Sequence, residues 1–117
     1  MAKVTPFSVS AADLPKRAAE ASRFLQNFAN DKRLMTLCRL AEGERSVGDL
    51  ADAVGLSQSA LSQHLKRLRA DRLVATRRAG QTIYYRLADA RVRAFIDLLY
   101  RQFCVAPGGR PSQRSTP

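Results

Sequence analysis

From Leu14 onward, Leu14, Ala18, Ala21, Phe24, Leu25 and Phe28 recur at helical spacing until Ala29-Asn30-Asp31 breaks the pattern. Asp13 is placed to cap this first helix, with Pro15 tolerated in its first turn. A second helix starts at Asp31, passes through Leu34, Leu37, Cys38 and Ala41, and stops at Gly43. Ser46-Val47-Gly48-Asp49 resembles a capping box with Asp in place of Glu, and opens a short helix ending near Val54. Gly55 follows where a helix needs a left-handed residue to stop, and Ser57 caps a longer helix from Gln58 to about Ala70. Leu50, Val54, Leu56, Leu61, Leu65 and Leu68 form the apolar seam of this pair. A connection of about three residues forces the two helices to cross steeply.

The period then changes. Leu73 to Arg78 and Gln81 to Leu87 are rich in β-branched and aromatic residues. Between them Ala79-Gly80 reads as a tight hairpin, the glycine supplying positive φ. Asp89 is placed to cap a last helix with Val92, Phe95, Ile96, Leu99 and Phe103 on one face. The order predicts a mainly α fold with a β-hairpin wing, that is, a winged helix-turn-helix flanked by a first and a last helix. The apolar faces of those two helices exceed what one small core needs, so the domain is expected to dimerise through them. The expected division is a flexible N-terminus over 1–12, one DNA-binding and dimerisation domain over 13–104, and a flexible tail over 105–117, which is rich in Pro, Gly, Ser, Thr and Gln.

Charge gives this architecture a partner. Twenty Lys and Arg face ten Asp and Glu, a net +10. Six of the basic residues and one acid, Asp71, fall between Lys66 and Arg78. Such clustering favours a polyanion, because each cation set on a phosphate releases a condensed counterion. A helix fits the major groove and offers short polar side chains from its N-terminal half to base edges. Ser57, Gln58, Ser59, Ser62 and Gln63 suit that role, with His64 in reach of a base or a phosphate. Lys66 and Arg67, one turn on, are expected on phosphates, where they fix register. In the wing, Arg77, Arg78 and Gln81 bracket the tip and are expected in a minor groove or on the backbone. One such module buries too little surface for tight specific binding, so a homodimer on an imperfectly palindromic double-stranded operator is expected.

Other classes recede. The single His, and the lack of a nucleophile–base set or glycine-rich phosphate loop, leave no catalytic residues to name. No apolar run approaches the roughly 18 residues that span a bilayer. Met1 to Ser10 lacks the pattern of a signal peptide, so a cytoplasmic protein with no membrane partner is expected. The two cysteines, Cys38 and Cys104, read either as small buried hydrophobes or as a redox pair.

Three stretches carry a resemblance to a family. They are Asn30-Asp31-Lys32-Arg33-Leu34, Ser46-Val47-Gly48-Asp49-Leu50 and, most specifically, Leu56-Ser57-Gln58-Ser59-Ala60-Leu61-Ser62-Gln63-His64-Leu65-Lys66-Arg67-Leu68-Arg69. Together with the wing, Arg77-Arg78 and Gly80 to Leu87, they resemble the ArsR family of repressors over residues 14–104. The resemblance implies a homodimer whose inducer weakens operator binding. Metal-sensing relatives carry Cys-Val-Cys where this chain has Ser46-Val47-Gly48, and others use His and carboxylates on the last helix. Here that helix has Asp89 and Asp97 but no His, so neither a metal nor another cofactor is expected. The cysteine pair is similar to that of the persulfide- and redox-sensing branch, which includes biofilm-growth and sulfide-quinone-reductase repressors and HlyU-type regulators. That similarity implies that Cys38 and Cys104 sense a small reactive sulfur species or oxidant, and that their disulfide or polysulfide form releases DNA. Arg39 and Arg101, near the thiols in sequence, are expected to favour the thiolate. The alternatives are an architectural or anti-silencing DNA-binding role without sensing, and a metal-responsive repressor of the same family.

Overall fold

The computed structural model describes residues 9–106 and 110–111. Its elements run α1 (Leu14–Gln26), α2 (Asp31–Ala41), β1 (Arg45–Ser46), α3 (Val47–Val54), α4 (Gln58–Ala70), β2 (Val74–Ala79), β3 (Thr82–Leu87) and α5 (Ala90–Phe103). A two-residue pairing of β4 (Val105–Ala106) with β5 (Arg110–Pro111) follows. That ladder lies in the expected flexible tail, and the rest of the tail, like residues 1–8 of the expected flexible N-terminus, lies outside the described residues.

The helix-turn-helix forms for the reasons read from the sequence. Ser46 accepts the Asp49 N–H at 3.2 Å, although among the described residues only this half of the capping box is made. Gly55 ends α3 at φ 73° in the left-handed region, and Ser57 accepts the Ala60 N–H at 3.1 Å to start α4. Leu50, Val54, Leu61, Leu65 and Leu68 are essentially without exposed surface, and they meet Leu37 and Leu40 of α2 and Val92 and Ile96 of α5 in one core. Leu56 is only partly buried and packs at its rim.

The second helix starts at Asp31 as expected, with Asn30 as its cap accepting the Arg33 N–H. Two local details differ from expectation. Asp13 accepts no cap bond, and its carboxylate receives the Ser10 hydroxyl at 3.0 Å instead. In the wing, Ala79 pairs with Thr82, so the turn is Gly80-Gln81, with Gly80 at φ 64°. A third strand is also present: β1 pairs with β3 (Arg45 with Tyr85, Ser46 with Tyr84), giving the antiparallel order β1-β3-β2. Two residues are too few to leave a period in the sequence.

The first and last helices are unevenly satisfied. Phe24, Phe28 and Phe95 form an aromatic cluster with ring centroids 4.7–6.0 Å apart. Yet α1 has no buried residue, and Leu14, Leu25, Leu98, Tyr100 and Phe103 remain exposed, Phe103 at 77%.

Candidate nucleic-acid interface and thiol pair

The turn that aims α4 is locked from outside the motif. Lys32 of α2 donates through Nζ to the Val54 carbonyl at 2.8 Å, placing a cation on the C-terminal end of α3 where the helix dipole favours one. Beyond the turn, Gln58, Ser59, Ser62, Gln63 and Lys66 are exposed along α4, and among the described residues no side-chain hydrogen bond ties them down. Ser57 is exposed too, but its oxygen is engaged as the helix cap. Five of the expected DNA-facing side chains therefore share one open strip.

His64 and Arg67 are different. Both are half-buried. His64 Nδ1 lies 3.5 Å from Arg33 Nη1, and burial, then the Arg33 charge, pushes its imidazolium below the usual range. The ring is thus held neutral against α2. Arg67 donates to the Gln26 side chain at 3.3 Å. These two residues join the reading helix to α2 and to the end of α1 as well as lying near its outer strip.

The structure also divides the three wing residues. Arg78 and Gln81 are exposed near the tip. Arg77 is engaged: its Nε and Nη2 meet the Glu44 carboxylate at 2.8 and 2.7 Å, and its guanidinium lies 4.7 Å from the Tyr84 ring centroid. The hydrogen bond from Arg77 holds the Glu44 carboxyl below the usual carboxylate range. Glu44 was not singled out in the sequence, since an acid in the loop before Ser46 carries no pattern of its own.

The two cysteines, 66 positions apart in sequence, are brought together by the packing of α2 on α5. Cys38 is on α2, Cys104 caps α5, and both thiols are free. Arg93 of α5 donates to the Ala41 carbonyl at the end of α2 at 2.7 Å, clamping the same two helices. The Cys38 thiol is pushed up from its ordinary value, first by partial burial, then by the charge of Cys104 and of Glu42. Arg39 pulls the other way but is outweighed, in keeping with its ion pair to Glu42 at 3.2 Å. The expectation that Arg39 and Arg101 favour a thiolate is therefore corrected for Cys38, on which Arg39 acts weakly and Arg101 does not figure. The charge of a Cys104 thiolate opposes ionisation of Cys38.

Among the described residues no group of three or more His, Cys, Asp and Glu side chains is close enough to hold a metal ion, and no helix is long and apolar enough to cross a membrane.

Comparison with known proteins places this geometry. The model of the arsR family of bacterial regulatory proteins matches residues 30–76. The transcriptional activator HlyU of Vibrio cholerae is 48% identical over 94 residues, covering 80% of this chain and 87% of its own length. The structure of reduced HlyU from that organism superposes with a TM-score of 0.75 at 48% identity, over 79% of this chain and 97% of that one. A biofilm growth-associated repressor of Xylella fastidiosa is 42% identical over 92 residues, 79% of this chain and 81% of the relative. The homodimeric winged helix-turn-helix domain of a possible ArsR-family regulator from Mycobacterium bovis matches with a TM-score of 0.68 at 31% identity, over 80% and 86% of the two chains.

Proposed function

The chain belongs to the ArsR family of bacterial regulatory proteins, and from that footing we propose a dimeric repressor that releases its operator when Cys38 and Cys104 become covalently bridged. That it is a DNA-binding transcriptional regulator, and not an enzyme, follows from the family and the relatives. The finer reading is carried by one observation, two free thiols on the packed helices α2 and α5, near enough for the charge of Cys104 to act on Cys38.

The chemistry closes without a cofactor. A protein thiolate attacks the terminal sulfane sulfur of a hydropolysulfide, whose S–S bond breaks, leaving a protein persulfide and a donor shorter by one sulfur. The second thiolate attacks the protein-bound sulfur and expels hydrosulfide. The two cysteines have then lost two electrons, and the sulfane sulfur leaves as sulfide. With peroxide as the oxidant, the first thiolate takes an oxygen as sulfenic acid, hydroxide leaves, and the second thiolate displaces another hydroxide. When hydropolysulfide has converted both cysteines to persulfides, the outer sulfur of one attacks the inner sulfur of the other, hydrosulfide leaves, and a three-sulfur bridge remains.

Dimerisation is supported by the exposed Leu14, Leu25, Leu98, Tyr100 and Phe103 and by the homodimeric state of the Mycobacterium bovis domain. On the operator, Gln58, Ser59, Ser62 and Gln63 read base edges while Lys66 and Arg78 hold phosphates.

The test combines mass spectrometry with DNA binding. After hydropolysulfide or peroxide, the reading expects one intramolecular bridge between Cys38 and Cys104. It expects a roughly 100-fold loss of operator affinity, which requires the bridge to favour the non-binding state by about 2.7 kcal/mol. Cys38→Ser and Cys104→Ser should each hold DNA whatever the treatment. An unbridged protein, or a bridged one that keeps its operator, would defeat the proposal. An architectural or anti-silencing role would appear instead as many AT-rich sites across the genome, where a sensor-repressor occupies a few palindromic promoters.

A further inference from the structure

The C-terminal end of the reading helix breaks two local rules. Asp71, an acid, stands at the C-cap of α4, where the helix dipole disfavours negative charge. Arg72 follows at φ 62°, the left-handed region that glycine occupies without strain. The stop itself is made across the left-handed Arg72, with the Leu73 N–H donating to the Leu68 carbonyl at 2.9 Å, a geometry that glycine would serve as well and that does not call for an acid at position 71.

What Asp71 does is hold α1. Its side chain is only 7% exposed. Arg23 donates to Oδ1 through Nε and Nη2 at 2.8 and 2.6 Å, and Asn27 donates to Oδ2 at 2.8 Å. Asn27 is itself 1% exposed and also donates to the Arg23 carbonyl at 3.3 Å, so one carboxylate gathers both partners from the last turn of α1 and just beyond it. Its other holds are Phe24 in the aromatic cluster and Gln26, which accepts from Arg33 and Arg67 near the helix end. No residue of the helix is buried, and a cleft of about 620 Å³ lined by Glu20, Phe24, Leu73 and Arg91 opens along it. Leu14 and Leu25 stand exposed on the same helix.

We propose that Asp71 is a positioning residue for DNA binding: by fixing α1 to the end of α4 it sets the spacing at which a dimer presents its two reading helices. The inference rests on the dimer of the preceding section. A rigid joint between a dimerisation helix and a reading helix converts dimer geometry into half-site spacing, and a loose joint leaves the spacing undefined.

The test uses the full chain and a palindromic duplex selected in vitro with the wild-type protein. Companion duplexes have one base pair added or removed between half-sites, and another carries a single half-site. Asp71→Asn keeps the shape and removes one negative charge per protomer, which by itself tightens DNA binding. The expectation runs the other way: affinity for the selected spacing falls by the order of tenfold, the preference over the altered spacings flattens, and half-site affinity stays near wild type. Arg23→Gln, at an exposed guanidinium that the core does not need, should reproduce the flattening, which keeps the test decisive if Asp71→Asn misfolds. A sharp wild-type spacing preference in both variants, or a half-site loss as large as the full-site loss, overturns the proposal. A monomeric wild-type protein by light scattering overturns the dimer reading instead, and with it this inference.

Discussion

The salt dependence of operator binding separates the two wing arginines that the sequence treats alike. Each phosphate contact contributes about 0.9 to the slope of log affinity against log salt. Arg78 is exposed and unpaired by any described acid, so in a dimer Arg78→Ala removes two such contacts and lowers the slope by about 1.8. Between 50 and 200 mM salt the variant should therefore lose roughly tenfold less affinity than wild type. Arg77 is committed to Glu44 through contacts of 2.7 and 2.8 Å and to the face of Tyr84. Its charge is cancelled before DNA arrives, so Arg77→Ala should leave the slope unchanged while weakening affinity at every salt concentration, because the wing has lost its stay against the loop before β1. Glu44→Gln should have the opposite signature, a steeper slope as Arg77 becomes available. Fluorescence anisotropy on a labelled operator at five or six salt concentrations gives all of these slopes. Equal loss of slope in Arg77→Ala and Arg78→Ala would show that Arg77 abandons Glu44 for a phosphate, and the argument from the ion pair would fail.

Other outcomes follow from single contacts. Ser57→Ala deletes the acceptor of the Ala60 N–H and should cost about 1 kcal/mol, a thermal midpoint several degrees lower by calorimetry, with a weakened start to α4. Arg72→Gly relieves the left-handed strain by about 1 kcal/mol but loosens the unfolded chain, so a net gain near 0.5 kcal/mol is expected in denaturant titration; a loss beyond about 1 kcal/mol would contradict the strain. Burial and then Arg33 lower the His64 pKa, so the unfolded chain takes up that proton first and stability falls as pH drops from about 6.5 towards the lower folded value, levelling off below it. His64→Gln should remove that component from a pH series of unfolding midpoints.

The core was legible because it is periodic. The leucines of α3 and α4 repeat at helical spacing, the wing strands are rich in β-branched and aromatic residues around a glycine turn, and the caps at Ser46, Gly55 and Ser57 are residue types that a sequence displays directly. The start of α2 at Asp31 was legible in the same way, and the structure adds Asn30 as its cap. The long-range polar contacts were not legible. Glu44 and Arg77 are 33 positions apart, and Asp71 is 48 from Arg23 and 44 from Asn27, with nothing in spacing or composition to join them. The same limit misassigned Arg39. Adjacency in sequence suggested a cation serving Cys38, whereas the fold supplies Glu42 as its partner and partial burial as the larger influence on the thiol.

In the proposed switch, α2 is the element that would carry chemistry at Cys38 to the DNA. Cys38 stands near one end of this helix and Lys32 and Arg33 near the other, with Leu37 and Leu40 fully packed in the core between the ends of the domain. Lys32 and Cys38 are six positions apart in the chain, about 9 Å of helix. Lys32 grips the carbonyl that ends α3, while Arg33 reaches His64 on α4 and the Gln26 carbonyl that ends α1 at 3.1 Å. From the other side Arg93 ties α5 to the last carbonyl of α2. A displacement of α2 against α5 therefore cannot be absorbed locally, since close-packed interiors transmit strain and the tethers lead to the motif that reads DNA. The bridge still shifts binding only by the difference in its free energy between the two arrangements of α2 and α5. A bond that fits both arrangements equally would leave the operator occupied, so the effect depends on the reach of the bridge and not on oxidation alone. A disulfide and a longer polysulfide, closing the same pair of sulfurs at different lengths, should then release DNA to different extents.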